Sequence, residues 1–275
     1  MKPIVNRSQL AVALQAGFSR GLIEFRNSMN TIGGYIFFPL VAIVVLYFLR
    51  DVTIAGSDSS VGSYAIPGII ALNAILSGLM GIASTLMQEK EDGTLLRAQC
   101  LPHGTLSYFV GKIVAQSSLA LIAFLIVTTF AVVMLGGVQS EPAWQILSLL
   151  WIVPLGLAAT LPIGVIFGAF LSRPRQLSFI SLAMMAMTVV SGIFYPITTI
   201  PVFVQWLGLG FPLYWLGAGM RSALLPPTVN TEVLTGAWVP GATLAVLATW
   251  AVLGAIVAGV VLRRAGQREN GTRNH

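Results

Sequence analysis

Six stretches of roughly twenty residues or more, long enough for a helix rising about 1.5 Å per residue to cross about 30 Å of hydrocarbon, carry no Asp, Glu, Lys or Arg. They are 32–49, 63–87, 113–135, 144–171, 176–194 and 238–262. The runs are continuous rather than alternating, which sets aside a membrane β-barrel and its period of two. The whole chain of 275 residues is 56% hydrophobic and 9% charged, against about 25% charged in soluble domains. Such a surface has to face lipid. The expected fold is an all-α integral membrane protein, a single domain over 1–275 with six transmembrane helices.

The connections carry their own patterns. Before the first run, Leu10, Leu14, Phe18, Leu22 and Phe25 recur at spacings of four and three, with Gln15, Ser19, Arg20, Glu24 and Arg26 elsewhere. That is the pattern of an amphipathic helix, 8–28, lying in the membrane interface. From Gln176 to Met220 there is no charge, yet Pro196, Pro201 and Pro212 interrupt the stretch. A span followed by a broken, re-entrant outer segment, 195–237, accounts for it, because irregular backbone at membrane depth survives only where protein or water satisfies it. Trp206, Tyr214 and Trp215 suit the headgroup level.

Of the 15 Lys and Arg, 13 fall on one side of the six runs, and only Arg50 and Arg221 fall on the other. The positive-inside rule then places both termini of this multi-pass chain in the cytoplasm. The charges of the first thirty residues leave no room for a cleavable leader, so the chain is expected to begin at Met1. The single Cys100 excludes an intrachain disulfide and leaves no Cys-based metal cluster. No carboxylate or histidine lies inside a run, which argues against an ion-coupled carrier. An intramembrane enzyme lacks both an HExxH pair and a histidine within a span. A channel or scramblase stays open.

The densest charge lies in the cytoplasmic segment 88–106, which includes Glu89, Lys90, Glu91, Asp92, Gly93, Thr94, Arg97 and Pro102. Gly93 permits a sharp turn, and Thr94 caps a short helix closed before Pro102. The segment is either an ordinary solvated loop or a projecting elbow. A charge cluster, then Gly-Thr, then a helix closed by Leu101-Pro102, resembles the coupling element of the ATP-binding-cassette type 2 permeases, in particular their drug-export, daunorubicin-resistance branch. The interfacial helix, the six runs and the segment Ser191-Gly192-Ile193-Phe194-Tyr195-Pro196 continuing to Arg221 are similar too. The stretch from Arg97 to Cys100 is less acidic than the family pattern.

The resemblance implies an exporter in which two permease chains, identical or homologous, assemble with two cytoplasmic ATPase chains. ATP and magnesium would be bound on the partner, with no cofactor or metal on this chain. Consistently, the sequence has no phosphate-binding G-x-x-x-x-G-K-[ST] loop, so it is not expected to be an enzyme. Glu89, Glu91, Asp92, Gly93, Thr94 and Arg97 become the candidate contacts with the ATPase. The second and fifth spans of the family border the substrate path, which makes Asn73, Ser77, Phe179, Met184, Met187 and Phe194 candidates there, against plain packing. Arg221 either snorkels to the interface or gates release. Hydrophobic or amphipathic compounds, drug-like molecules or lipids, are the expected cargo, with a lipid-linked polysaccharide as the alternative. Gly164 with Gly168, and Ala251, Ala255 and Gly259, have the spacing of close helix packing, within one chain or between two.

Overall fold

The computed structural model describes residues 7–49, 51–52, 61–94, 104–134, 142–171, 176–194, 197, 200–225 and 239–271. Among these, the secondary structure is helical: α1 (Arg7–Ser28), α2 (Ile32–Phe48), α3 (Val61–Glu91), α4 (Gly104–Met134), α5 (Pro142–Phe170), α6 (Leu177–Val190), α7 (Val202–Gly210), α8 (Pro212–Leu224) and α9 (Pro240–Gly271). Helices alternate in direction from α2 to α5. The bundle therefore has a basic end, where α3 runs out and α4 begins, and a far end.

Among the described residues, five helical stretches are long and apolar enough to cross a membrane: Val12–Phe48, Tyr64–Glu91, Ser107–Met134, Leu147–Phe170 and Pro240–Val261. The fifth expected span, 176–194, is the 14-residue α6, about 21 Å long and short of a full crossing. It stops at Ser191-Gly192, where Gly192 takes φ +58°, a conformation that ends a right-handed helix at little cost only for glycine.

Helix α3 is the hub. It touches α2, α4, α5, α6 and α8, and Ile66, Ile70, Ile75, Leu79, Ile82 and Leu86 are buried along it. In lipid, apolar burial alone does not hold helices together, so close backbone approach and hydrogen bonds matter more. Gly164 and Gly168 of α5 serve that approach within one chain: a Cβ on Gly164 would lie 2.5 Å from the Leu79 carbonyl oxygen, and one on Gly168 would lie 3.0 Å from that of Ala83. Ala255 is exposed and Gly259 has nothing within 4 Å of its Cβ direction. Instead, α9 turns Leu247, Gly254 and Ala258 inward. Gly164→Val is expected to destabilise the bundle by about 3 kcal/mol, the upper range for overpacking, while Gly259→Val changes the thermal midpoint little. Thermal unfolding of the two purified variants in detergent checks the contrast.

The described residues of the segment 195–237 include the helix pair α7 and α8, broken at Phe211, whose backbone is extended (φ −99°, ψ 144°). Pro212 then starts α8 at a position where its missing N–H is no loss. The carbonyls freed at the break are taken by indoles: Trp215 Nε1 donates to Leu209 O and Trp250 Nε1 to Gly210 O, each at 2.8 Å. Trp206 is exposed, whereas Tyr214 and Trp215, expected with it at the headgroup level, are buried. Every residue of α8 is buried, because α3, α5 and α9 enclose it together with α7.

Candidate functional site

The polar residues converge at the basic end, where α1, α3 and α4 meet. α1 runs alongside α4 in the same direction, with Gly17 opposite Ser107 and Val110 and Gly21 opposite Gly111 and Val114. A Cβ at Gly21 would stand 2.7 Å from the Gly111 carbonyl oxygen, so this contact is made backbone to backbone. Leu14, Phe18 and Leu22 stay exposed on an adjoining face, and α1 runs on into α2 within the single stretch Val12–Phe48 rather than as a separate interfacial helix. The buried edge is Ala13, Gly17 and Gly21. Their spacing of four was available in the sequence as the signal for this contact.

On that platform sits a charge cluster. Lys112 of α4 is 3% exposed and bridges two carboxylates, Glu24 of α1 and Glu89 of α3, the latter at 2.6 Å. Tyr108, one turn earlier on α4, donates its hydroxyl to Glu89. The Arg20 guanidinium lies over the Tyr108 ring, 5.1 Å from its centroid. Both carboxylates are thereby paired with the one buried ammonium, and pairing is the condition under which burying ionised groups is tolerable. Next to Glu89, Lys90 donates to the carbonyls of Gly168 (2.9 Å), Ala169 and Leu171 (3.3 Å). A cation at those unsatisfied carbonyls complements the C-terminus of α5. The end of α3 is fixed directly to α4 and α5, and through Lys112 to α1.

Immediately after these anchors the chain turns. Asp92 N and Gly93 N donate to Gln88 O (2.9 Å) and Lys90 O (3.3 Å), and Gly93 has φ +70°. Glu91 and Asp92 are exposed, and Thr94 is half-buried. Of the expected ATPase contacts, Glu89 faces inward to Tyr108 and Lys112, whereas Glu91, Asp92, Gly93 and Thr94 lie at or beside the turn. Arg97 and the short helix expected after Thr94 lie outside the described residues.

A family comparison bears on this arrangement: the model of the ABC-2 type transporter matches residues 12–225, from within α1 through α8. The chain belongs to the ABC-2 type transporter family. No curated protein matches it. The ABC-2 type family supplies the membrane component of ATP-binding-cassette exporters, which is not itself the ATPase and normally works with ATP-binding subunits. This ABC-2 type chain is accordingly a multi-pass membrane permease.

The six residues expected along a substrate path divide into two groups. Asn73, Ser77 and Met184 are buried inside the chain. Ser77 bonds its hydroxyl to Asn73 O of its own helix at 2.7 Å, and its carbonyl accepts Gln116 Nε2 of α4 at 2.6 Å. Asn73 Nδ2 has no partner among the described residues. Phe179 (71% exposed) and Phe194 lie at the surface, and Met187 is half-buried. Phe179 helps to line an apolar pocket of about 260 Å³ with Phe167, Leu171, Gln176, Ile180 and Ala183. Only a narrow stripe of α6, Ile180, Met184 and Thr188, is buried. Arg221 is buried at the far end, its guanidinium 4.5 Å from the centroid of the Tyr64 ring.

Proposed function

We propose that the protein is the transmembrane subunit of an ATP-driven exporter of hydrophobic or amphipathic compounds, resembling the drug-export branch of its family. In this reading it lies in a bacterial inner membrane with both termini cytoplasmic, and the basic end faces the ATPase. Two permease chains pair with two ATPase chains, which hold the ATP and magnesium. The observation that carries the proposal is the way α3 ends. Its last turn is pinned by Glu89 to α4 and by Lys90 to α5, with Lys112 carrying the link on to α1, and the next three residues present Glu91, Asp92 and a left-handed Gly93. A push on that turn would be borne by the helix ends rather than absorbed by a loose loop.

Glu91, Asp92, Thr94 and Arg97 would contact the ATPase, and Glu89 would hold the turn in place. Asn73, Ser77, Phe179, Met184, Met187 and Phe194 would border the cargo path between α3 and α6, and Arg221 would act at the outer gate. The supporting contrast is between the firmly packed α3 and an α6 held along one stripe, which has room to move.

The test is reconstitution of the permease with its ATPase in proteoliposomes loaded with a fluorescent amphiphile. ATP-dependent movement, abolished when the ATPase nucleotide site is inactivated, is the expected result. Movement at the same rate without ATP would overturn the exporter reading in favour of a channel or scramblase. Movement of a lipid-linked glycan alone would retain the mechanism and replace the cargo.

A further inference from the structure

Arg221 stands on the last turn of α8, 5% exposed. Its guanidinium folds back along its own helix, so that a Cβ on Gly217 would be 3.5 Å from Nη1 and 3.9 Å from Nη2. One face of the fork rests on Tyr64 of α3. Nη1 is sealed from solvent and finds no hydrogen-bond acceptor among the described residues. An aromatic face attracts a cation but offers this N–H no lone pair. Arginine does not shed its proton to escape burial. Of the carboxylates whose side chains are described, Glu24, Glu89, Glu91 and Asp92 belong to the basic end, and Asp51, after α2, is solvent-exposed.

A buried ion without a matched acceptor is strongly disfavoured, and an ionisable side chain at membrane depth marks a functional site unless its partner is in view. We propose that Arg221 is the receptor for one oxyanion, the phosphate or carboxylate head of a long-chain amphiphile. The planar fork suits two oxygens of such a group. Gly217 leaves the space beside the fork free of a side chain, while Ile193 and the Tyr64 ring supply apolar walls. Those walls suit an attached hydrocarbon chain better than the water shell of a free ion. Because Nη1 is enclosed, the head group reaches it from within the bundle, as α3 and α8 part. Resting on the exporter reading, this narrows the cargo to anionic amphiphiles, drawn toward a fixed cation at the far end.

The test uses the full-length chain in uncharged maltoside micelles, with thermal unfolding followed by tryptophan fluorescence in the presence of hexadecyl phosphate, hexadecanol, inorganic phosphate or phosphatidylglycerol. Hexadecyl phosphate is expected to raise the midpoint by several degrees, and hexadecanol and inorganic phosphate to leave it in place. Arg221→Gln should weaken the apparent affinity for hexadecyl phosphate at least tenfold, with Arg221→Lys between the two. An equal shift in Arg221→Gln overturns the site. If that variant does not accumulate, Arg221→Lys decides, and a parental shift there overturns the bidentate contact. A full shift with inorganic phosphate assigns the site to a free anion and overturns the amphiphile, whereas a shift with phosphatidylglycerol alone assigns it to a bilayer lipid and overturns the cargo role. If the counter-charge were instead Asp58, Glu141 or Glu232, the parent would not respond and the triple variant D58N/E141Q/E232Q would, which also overturns the proposal. No ATPase enters the measurement, so its failure and that of the exporter reading are separate events.

Discussion

Lys112→Met is expected to be the most destabilising single change at the basic end, lowering stability by about 3 kcal/mol or more, the range for removing one partner of a buried ion pair. The methionine fills much of the same volume, so the loss is electrostatic rather than steric. Glu24 and Glu89, both bonded to Lys112 and both mostly buried, would be left as two like charges facing one another without a cation. Tyr108 and Arg20 do not replace it, since the first offers only a neutral hydroxyl to Glu89 and the second lies on the tyrosine ring. The measurement is the thermal midpoint and membrane abundance of the variant, beside Lys112→Met combined with Glu24→Gln and Glu89→Gln. If burial of unpaired carboxylates is the cause, the triple variant recovers a large part of the loss, a non-additivity that separates it from lost packing. A triple variant less stable than Lys112→Met alone would show that the cause lies elsewhere.

The second large effect concerns transport rather than stability. At Gly93, φ is +70°, whereas proline is held near −65°, and a proline would also remove the N–H that reaches Lys90 O. Gly93→Pro cannot keep the turn. It should remain in the membrane, because the position has open space around it and no packing to disturb, yet lose ATP-driven export and substrate-stimulated ATP hydrolysis entirely. Gly93→Ala is the graded control: it is strained by the same φ, by about 1–2 kcal/mol, and should retain partial activity. Reversing the exposed charges, Glu91→Lys with Asp92→Lys, should weaken co-purification of the ATPase, more so in high salt, since exposed pairs are screened over about 8–10 Å. Parental export by Gly93→Pro with the ATPase still bound would reduce the turn to a solvated loop.

How far the sequence reaches can be judged from these same residues. The long apolar helices were legible because a charge-free run of membrane length has few alternative fates. The shortness of α6 was not, since nothing local in 176–194 distinguishes a full crossing from a helix stopped by a left-handed Gly192. The turn at Gly93 was legible from glycine beside a charge cluster. The inward direction of Glu89 was not: its acceptor role depends on Lys112 and Tyr108, and Glu24 joins them across 88 residues of chain. Tyr214 and Trp215 looked like interface residues by type, but the enclosure of α8 by helices distant in sequence decides otherwise. Asn73 and Ser77 illustrate the same limit, because residue type marks them as polar in an apolar helix without saying which neighbour they face.

The enclosure of α8 also imposes an order of events during synthesis. At 13 residues, about 20 Å, it is too short to be left across the bilayer by itself, and Arg221 makes lipid a poor resting place. One of its walls is α9, whose Trp250 secures the break before α8, and α9 leaves the ribosome only afterwards. Until that last helix arrives, α8 has to wait against α3 and α5 with one flank open, so the chain closes its interior from its own C-terminal side.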